Sequence, residues 1–352
     1  MTKRVRILAW ISTAAILLLI ARRVPLNRVG SALAGANYAV FFGVMVPNTI
    51  FYFCWDTLVL KTAIRWFHGD VPYRDLLPVR AASYVVGFFN TQAGRGTLAA
   101  YLWRRLDAPF LALSGTVIFL VLTEYTQLVL WAMLGFLGFR SEITTGLLPV
   151  AGGVAAFWLL FFGYTRLEIT PWRIVRWLFA PRDWQLFATF RRATASRYMT
   201  IVLLRAPMFA VSVCAHYLGA RAFGIEIPFG ALLTFLPVIF MVAALPITVA
   251  HLGTTQAAWV YFFGSYAPAP TLLAFSLAAH LTFSLTRALL GLAWLPVAYA
   301  DLSGGRARRR AELAEDAEEG HTQRSLRGRR PQRGSANQTV MEADGPTANG
   351  GD

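Results

Sequence analysis

The sequence is poor in charged residues and poorest in acidic ones. Only 14% of its 352 residues are charged, and 18 Asp and Glu stand against 33 Lys and Arg, which gives a formal net charge of +15. Hydrophobic residues make up 56%, and the mean hydropathy of +0.50 is too high for a soluble domain of this length. The composition therefore excludes a soluble globular protein and indicates a membrane protein with several spans.

Cysteine and histidine are scarce as well, with two and five residues. Cys54 and Cys214 both lie in apolar segments, without a second cysteine or a histidine at metal-ligand spacing. No HExxH, Walker A or GxSxG motif occurs, and Asp56 and Asp75 lie at predicted membrane interfaces without a paired carboxylate. We therefore expect no metal site and no cofactor, and we do not expect the chain to be an enzyme.

Six segments are apolar over about 20 residues, the length that crosses a bilayer. These predicted spans are residues 5–21, 31–55, 113–138, 143–164, 198–220 and 271–299. Two further apolar regions, 78–103 and 229–263, contain the polar interruptions NTQAGRG and LPITVAHLGTTQ. The pattern predicts an all-α polytopic membrane protein with six full transmembrane helices and two re-entrant or broken-helix hairpins.

Basic residues predict which loops are cytoplasmic, because Lys and Arg accumulate on that side. Segment 166–197 holds seven Arg and several Trp, so we expect one or two amphipathic helices on the cytoplasmic surface. Segment 56–80 and the pair Arg104 and Arg105 are also assigned to the cytoplasm, and the uncharged loop 264–270 to the outside. The two hairpins then enter the membrane from opposite faces, and both termini are cytoplasmic. Three basic residues are left outside against the same rule: Arg22, Arg23 and Arg28.

The order of spans and hairpins repeats in two halves, about 1–140 and 141–300, which together form the transmembrane domain. Because each half crosses the membrane an odd number of times, we predict an inverted repeat, an arrangement typical of transporters. Residues 301–352 carry nine Arg and nine acidic residues with almost no large apolar side chains. We expect them to form a disordered, charged cytoplasmic tail with a short helix at 307–319. The expected location is the inner membrane of a bacterial-type cell.

Polar residues in the two interruptions are the first candidates for a binding site. Irregular backbone at membrane depth is tolerated only where protein or a water-filled cavity satisfies its polar groups. Gly94, Gly96 and Gly253 allow the chain to turn, and the helices that follow would direct their N-termini towards an anion such as a lipid phosphate. The polar side chains predicted to bind it are Asn90, Gln92, His251 and Gln256, and the alternative for His251 is hydrogen-bonded packing.

Charged residues inside the membrane are the second group of candidates, because a mid-membrane Arg costs about 2.5 to 3.5 kcal/mol on insertion. We predict that Arg95 and Arg287 contact the phosphate and that Glu124 holds the arginines. The alternative for Arg95 is snorkelling to the headgroups from a shallow hairpin. Three further residues are interpreted as structural: Arg205, His216 and His280.

Three segments, NTQAGRGTLAAYLWRR, VIFLVLTEYTQL and LPITVAHLGTTQAAWVYFF, resemble the lysylphosphatidylglycerol synthase transmembrane-region family of flippase-like membrane proteins. The resemblance covers roughly residues 5–300 and implies an all-helical, lipid flippase-like domain. In the larger synthases this domain hands aminoacylated phosphatidylglycerol across the membrane, and a separate soluble domain makes the lipid. No such domain follows residue 300, so we do not expect this chain to aminoacylate a lipid.

The sequence departs from the family pattern in both hairpins. Where the family has Pro-Gly-Arg-x-Gly-Glu, residues 93–97 keep the Gly and the Arg without the Pro or the acid. The family's Glu-Arg-x-x-Asp is reduced to Glu124, and Gln256 replaces the acid of the second hairpin. The resemblance therefore supports the fold, but it does not carry over a substrate or a proton-coupled mechanism.

We expect an integral membrane protein that binds or translocates an anionic phospholipid or a lipid-linked intermediate. The alternative is a non-catalytic scaffold or accessory subunit of a lipid- or glycan-synthesis enzyme, which would have no cavity between its hairpins. An intramembrane enzyme acting on lipid-linked sugars is disfavoured, because no acid/base pair is evident. The expected partners are anionic membrane lipids, a second copy of the chain or a synthesis enzyme. Nucleic acid is not expected, because the basic residues flank the spans.

Overall fold

The computed structural model describes residues 18, 25–89, 91–106, 108–139, 146–166, 183–243 and 253–328. Within these ranges the chain forms helices and no strands. In chain order they are α1 Leu26–Ala34, α2 Tyr38–Phe67, α3 Tyr73–Phe89, α4 Thr91–Arg105, α5 Phe110–Gly138, α6 Leu147–Arg166, α7 Ala188–Arg192, α8 Ala195–Arg221, α9 Phe229–Ala243, α10 Thr254–Phe263 and α11 Ala269–Gly328, with a 3-10 turn at Gln185–Phe187. The prediction of an all-α polytopic membrane protein is confirmed.

Five of the described helices are long and apolar enough to cross a membrane. They are Tyr38–Phe67, Phe110–Gly138, Leu148–Thr165, Ala195–Arg221 and Ala269–Ala298. These correspond to five of the six predicted spans, and the remaining one, 5–21, lies outside the described residues except for Leu18.

The predicted span 31–55 differs from the structure at both ends. Its first residues belong to the short helix α1, and α2 begins after Asn37, whose side-chain oxygen accepts the N–H of Val40 at 3.2 Å. The helix then continues to Phe67 because its buried side chains recur every three or four residues and pack against other helices. Much of segment 56–80, which the charges assign to the cytoplasmic side, is therefore helical.

Helices α3 and α4 form the first hairpin and pack antiparallel. Arg105 contacts Asp75 at 2.7 Å at one end of the pair, and Gly87 meets Gly94 at the other. A Cβ placed on Gly94 would lie 2.7 Å from the Cα of Gly87, so the contact requires glycine. Gly94 therefore allows two helices to touch rather than the chain to turn, because α3 ends at Phe89 and α4 already begins at Thr91.

Helices α9 and α10 form the second hairpin, and residues 244–252 between them lie outside the described part of the chain. Phe235 stacks on Phe262 with ring centroids 4.8 Å apart, which holds the two helices together. Gly253 has a φ of +92°, a conformation in which glycine is unstrained. Its N–H donates to the side-chain oxygen of Gln256 at 2.7 Å, which satisfies one backbone donor at the start of α10.

Helices α2 and α8 run antiparallel through the centre of the bundle. The indole N–H of Trp55 donates to the carbonyl of Leu204 at 2.6 Å. About three turns earlier in α2 and about four turns later in α8, a Cβ on Gly219 would lie 3.6 Å from the Sδ of Met45. The position that is earlier in α2 therefore meets the position that is later in α8, as an inverted repeat requires.

The two hairpins belong to two hydrophobic cores at opposite ends of the α2–α8 pair. The first core joins α3 and α4 to the C-terminal part of α2 and the N-terminal parts of α5 and α8. The second core joins α9 and α10 to the N-terminal part of α2, the C-terminal part of α8 and the start of α11. The hairpins thus approach the middle of the bundle from opposite ends.

The chain divides into two compact units, Met1–Ser303 and Gly304–Asp352. In the second unit the backbone is helical up to Gly328, so the helix expected at 307–319 is longer than predicted, and residues 320–328 are helical where disorder was expected. Of the amphipathic segment 166–197, residues 183–197 are described; they form the 3-10 turn, α7 and the start of α8.

Candidate ligand-binding cavity

A cavity of about 250 Å³ lies between the two hydrophobic cores of the first unit. Eight helices contribute to its lining, α2 to α5 and α8 to α11. Four charged side chains reach it from four different helices: Arg95, Glu124, Arg205 and Arg287. Three arginines and one glutamate leave an excess of two positive charges in the wall of the cavity.

Asp56 on α2 is the centre of a buried ion-pair network beside this cavity. Its carboxylate accepts from the Nε of Arg80 at 2.5 Å and from the hydroxyl of Tyr84 at 3.1 Å, and a second nitrogen of Arg80 also contacts it. Arg205 lies 3.8 Å from the other carboxylate oxygen. The side chain of Asp56 is 3% exposed, so the charge is stabilised by these partners rather than by water.

Glu124 on α5 continues the network with longer contacts. Its Oε2 atom lies 3.7 Å from Arg95 and 3.9 Å from Arg205, and its side chain is 30% exposed. Both distances exceed hydrogen-bond range, so attraction between the charges is the main link. Arg205 thereby connects Asp56 and Glu124, two carboxylates on different helices.

Arg287 on α11 lies against aromatic rings. Its guanidinium carbon is 3.6 Å from the ring centroid of Tyr84 and 5.0 Å from that of Phe283. Such cation–π contacts stabilise a cation by about 0.5 to 2 kcal/mol but supply no hydrogen-bond acceptor at the edge of the guanidinium. Among the described residues, no carboxylate forms a salt bridge with Arg287.

Three buried N–H donors in the cavity wall have no hydrogen-bond acceptor in the described part of the chain. They are the Nε atoms of Arg205 and Arg287 and the Nε2 of Gln127. A buried donor without an acceptor costs about 1 to 3 kcal/mol, and more when it is charged. The three side chains line one cavity, so an oxygen-rich anion there would bring hydrogen-bond acceptors close to them.

The part of the cavity formed by the second core is aromatic and weakly polar. His216 stacks on Trp259 with ring centroids 6.1 Å apart, and its Nδ1 contacts the carbonyl of Ser212 at 2.7 Å. On α11, Ser276, His280 and Ser284 occupy successive turns of the face that also carries Arg287. The cavity is therefore polarised, with arginines on one side and hydroxyl, imidazole and indole groups on the other.

A second cavity of about 30 Å³ adjoins the network on the side of the first core. A bound water needs roughly 10 to 15 Å³, so this space is of water size. Asp56 and Arg80 line only the small cavity, whereas Arg95, Glu124 and Arg205 line both cavities. These three side chains therefore form the wall between the two spaces.

The sequence profile described as the lysylphosphatidylglycerol synthase TM region matches residues 6–291. This match covers most of the chain and every residue of both cavities. The chain belongs to this family. No curated protein matches the chain.

The structure brings some of the predicted site residues of this family member together. Arg95, Glu124 and Arg287 all line the large cavity, and Arg95 and Glu124 are adjacent, as predicted. Gln92 is exposed outside the cavity, and a Cβ on Gly96 would meet nothing within 4 Å. Two predicted residues, Asn90 and His251, lie outside the described residues.

Gln256 has a different position from the one predicted. It is buried beside the cavity rather than in its lining, and its side-chain oxygen is occupied by the N–H of Gly253. The family's acid at this position would accept the same N–H. Gln256 therefore caps α10, which explains why an amide preserves the local structure.

Three residues of the network are not predicted from the sequence: Asp56, Arg80 and Tyr84. Arg205 is predicted to be structural, whereas it lines both cavities. One signal was available for Asp56, because it lies in phase with the buried residues Phe53, Leu60 and Ala63 of α2. A carboxylate on the buried face of a helix needs a cationic partner. Arg80 and Tyr84, four residues apart, share a face of α3 and provide that partner and a hydroxyl donor.

Proposed function

We infer that this family member binds an anionic phospholipid or lipid-linked intermediate in the large cavity and moves it across the membrane. The observation that carries the proposal is the group of three buried N–H donors without acceptors in a wall with excess positive charge. A phosphate brings oxygen acceptors and negative charge to the same place, and arginine binds it through two parallel hydrogen bonds. The ligand would thus offset the cost of placing arginines in the membrane.

The polarity of the cavity supports a ligand with two chemically different ends. The phosphate would lie among Arg95, Arg205 and Arg287, and a hydroxyl-bearing headgroup would extend towards His216 and Trp259. The acyl chains would remain outside, against the exposed leucines of α11: Leu281, Leu285, Leu289 and Leu292. Alternation of a polar cavity face and an apolar outer face on α11 suits a lipid that is only partly enclosed.

A scaffold without a ligand is the competing proposal, and it predicts hairpins that pack without a cavity. The large cavity between the two cores favours the lipid-binding proposal. The proposal includes no chemical reaction, since both carboxylates of the network are engaged by arginines. An intact synthesis enzyme would remain a partner rather than an activity of this chain.

Reconstitution into liposomes tests the proposal. Fluorescent anionic phospholipids are compared with phosphatidylcholine, and movement between leaflets is followed by dithionite quenching. We expect the wild type to accelerate only the anionic lipids and Arg287→Ala to lose most of this activity. Arg221→Ala is the matched control, because Arg221 ends α8 against Tyr217 and does not line the cavity. No lipid movement by the wild type, or equal activity of the two variants, would refute the proposal.

A further inference from the structure

The wall between the two cavities is made of an ion-pair triad, Arg95, Glu124 and Arg205. The three residues come from α4, α5 and α8, so the triad joins the first hairpin to two long helices. The large cavity cannot connect with the small, water-sized cavity unless these side chains separate. The strength of their contacts therefore decides whether the wall can open.

The two carboxylates of the network are held very unequally. Asp56 has a hydrogen bond of 2.5 Å from Arg80 and another of 3.1 Å from Tyr84, and it is almost fully buried. Glu124 has two longer contacts, 3.7 and 3.9 Å, through one oxygen atom, and it is partly exposed to the cavity. Asp56 is thus fixed, whereas Glu124 can leave its partners at low cost.

We propose that Glu124 is a displaceable counter-ion: it occupies the place of the ligand's anionic group between Arg95 and Arg205 until that group enters and replaces it. This proposal rests on the proposed function, because it needs an anion to bind in the large cavity. Arg205 stays in position when Glu124 leaves, since Asp56 still lies 3.8 Å from it. Arg95 loses its contact with Glu124 and follows the ligand, which opens the wall next to the small cavity.

The exchange replaces one negative charge between Arg95 and Arg205 by another. The Glu124 carboxylate offsets one of the positive charges between Arg95 and Arg205. When a phosphate takes this place, its own negative charge takes over, and Glu124 points into the cavity. Competition of this kind lowers the affinity for the anion, so removal of the carboxylate charge will raise it.

Binding to Glu124→Gln measures the competition, because glutamine keeps the shape of the side chain and removes its charge. Protein in phosphatidylcholine nanodiscs is titrated with dioctanoyl phosphatidic acid, and separately with inorganic phosphate, by calorimetry. We expect the variant to bind the lipid on the order of tenfold more tightly than the wild type, a typical size for coupling between competing groups. Tighter binding of the lipid alone identifies a headgroup site, and tighter binding of both probes identifies a general phosphate site; each supports the counter-ion role.

Asp75→Asn is the matched control, since it removes the carboxylate of another ion pair, the 2.7 Å contact with Arg105, outside both cavities. It should leave both affinities unchanged. Glu124→Ala should also bind the lipid more tightly than the wild type, so the result does not depend on a single substitution. If the wild type binds the lipid and both Glu124 variants bind it equally well or more weakly, the counter-ion role alone is overturned. No binding by the wild type or by any Glu124 variant would overturn the proposed function as well.

Discussion

The unequal contacts of Asp56 and Glu124 predict that two equivalent charge removals will have very different effects on stability. Asp56→Asn deletes the only negative charge in contact with Arg80 among the described residues, and it weakens the support of Arg205. Removal of one partner from a buried ion pair costs about 3 to 5 kcal/mol, because the other charge stays buried without compensation. Glu124→Gln removes two longer contacts in a partly exposed position, and it should cost about 1 kcal/mol or less.

Thermal unfolding in one detergent, followed by tryptophan fluorescence, gives the comparison. A loss of 1 kcal/mol lowers Tm by about 2 to 4 °C in domains of 150 to 250 residues. We therefore expect Asp56→Asn to lower Tm by at least about 6 °C and Glu124→Gln by about 4 °C or less. Asp75→Asn, at a half-exposed ion pair, should resemble Glu124→Gln.

Two results would refute this reasoning. Equal losses of Tm in Asp56→Asn and Glu124→Gln would mean that burial and contact distance do not distinguish the carboxylates. A Tm of Asp56→Asn within about 2 °C of the wild type would mean that Arg80 and Arg205 are compensated in another way.

Further predictions concern the hairpins and one histidine. Gly94→Ala should lower Tm, because overpacking a tight contact costs about 1 to 3 kcal/mol, whereas Gly96→Ala should not, since its Cβ meets nothing within 4 Å; equal effects would contradict the close helix contact. Gln256→Ala should cost about 1 kcal/mol through loss of the cap of α10, and Gln256→Glu should retain it, which Tm values will measure. Burial and, to a lesser extent, the charge of Arg192 lower the pKa of His68 from its ordinary value of 6.5. The unfolded chain then binds the proton first, so stability should fall as pH drops below about 6.5, and His68→Gln should show a smaller fall; identical pH profiles of Tm would contradict this.

The broad architecture could be predicted from the sequence because the length of an apolar run indicates whether a helix can cross the bilayer, and positive charge indicates the cytoplasmic side. A helix that crosses the bilayer needs a long apolar run, and the runs that contain Glu124, Arg205 and Arg287 were all recognised. The predicted opposition of the two hairpins agrees with their positions at opposite ends of the α2–α8 pair. The ends of helices were less predictable, as α2 shows, because packing rather than hydropathy extends it to Phe67.

The site was only partly predictable for a different reason. Arg95, Glu124 and Arg287 stood out because each is a charge within an apolar run. Asp56 and Arg80 did not stand out, since each lies at the end of such a run and resembles an ordinary interface residue. Their importance comes from three-dimensional contacts between α2, α3 and α8, which no spacing within one helix encodes. Gln256 illustrates the opposite case, a polar residue at the right depth that serves its own helix.

Tyr84 contributes to the site in two ways, and only one of them depends on its hydroxyl oxygen. Its hydroxyl donates to Asp56 at 3.1 Å, and its ring carries the guanidinium of Arg287. Tyr84→Phe would remove the first contact and keep the second, whereas Tyr84→Leu would remove both. The phenol thus links the buried carboxylate on α2 to the cation on α11. Tyr84→Phe would therefore separate the effect of the Asp56 hydrogen bond from the effect of the ring contact with Arg287.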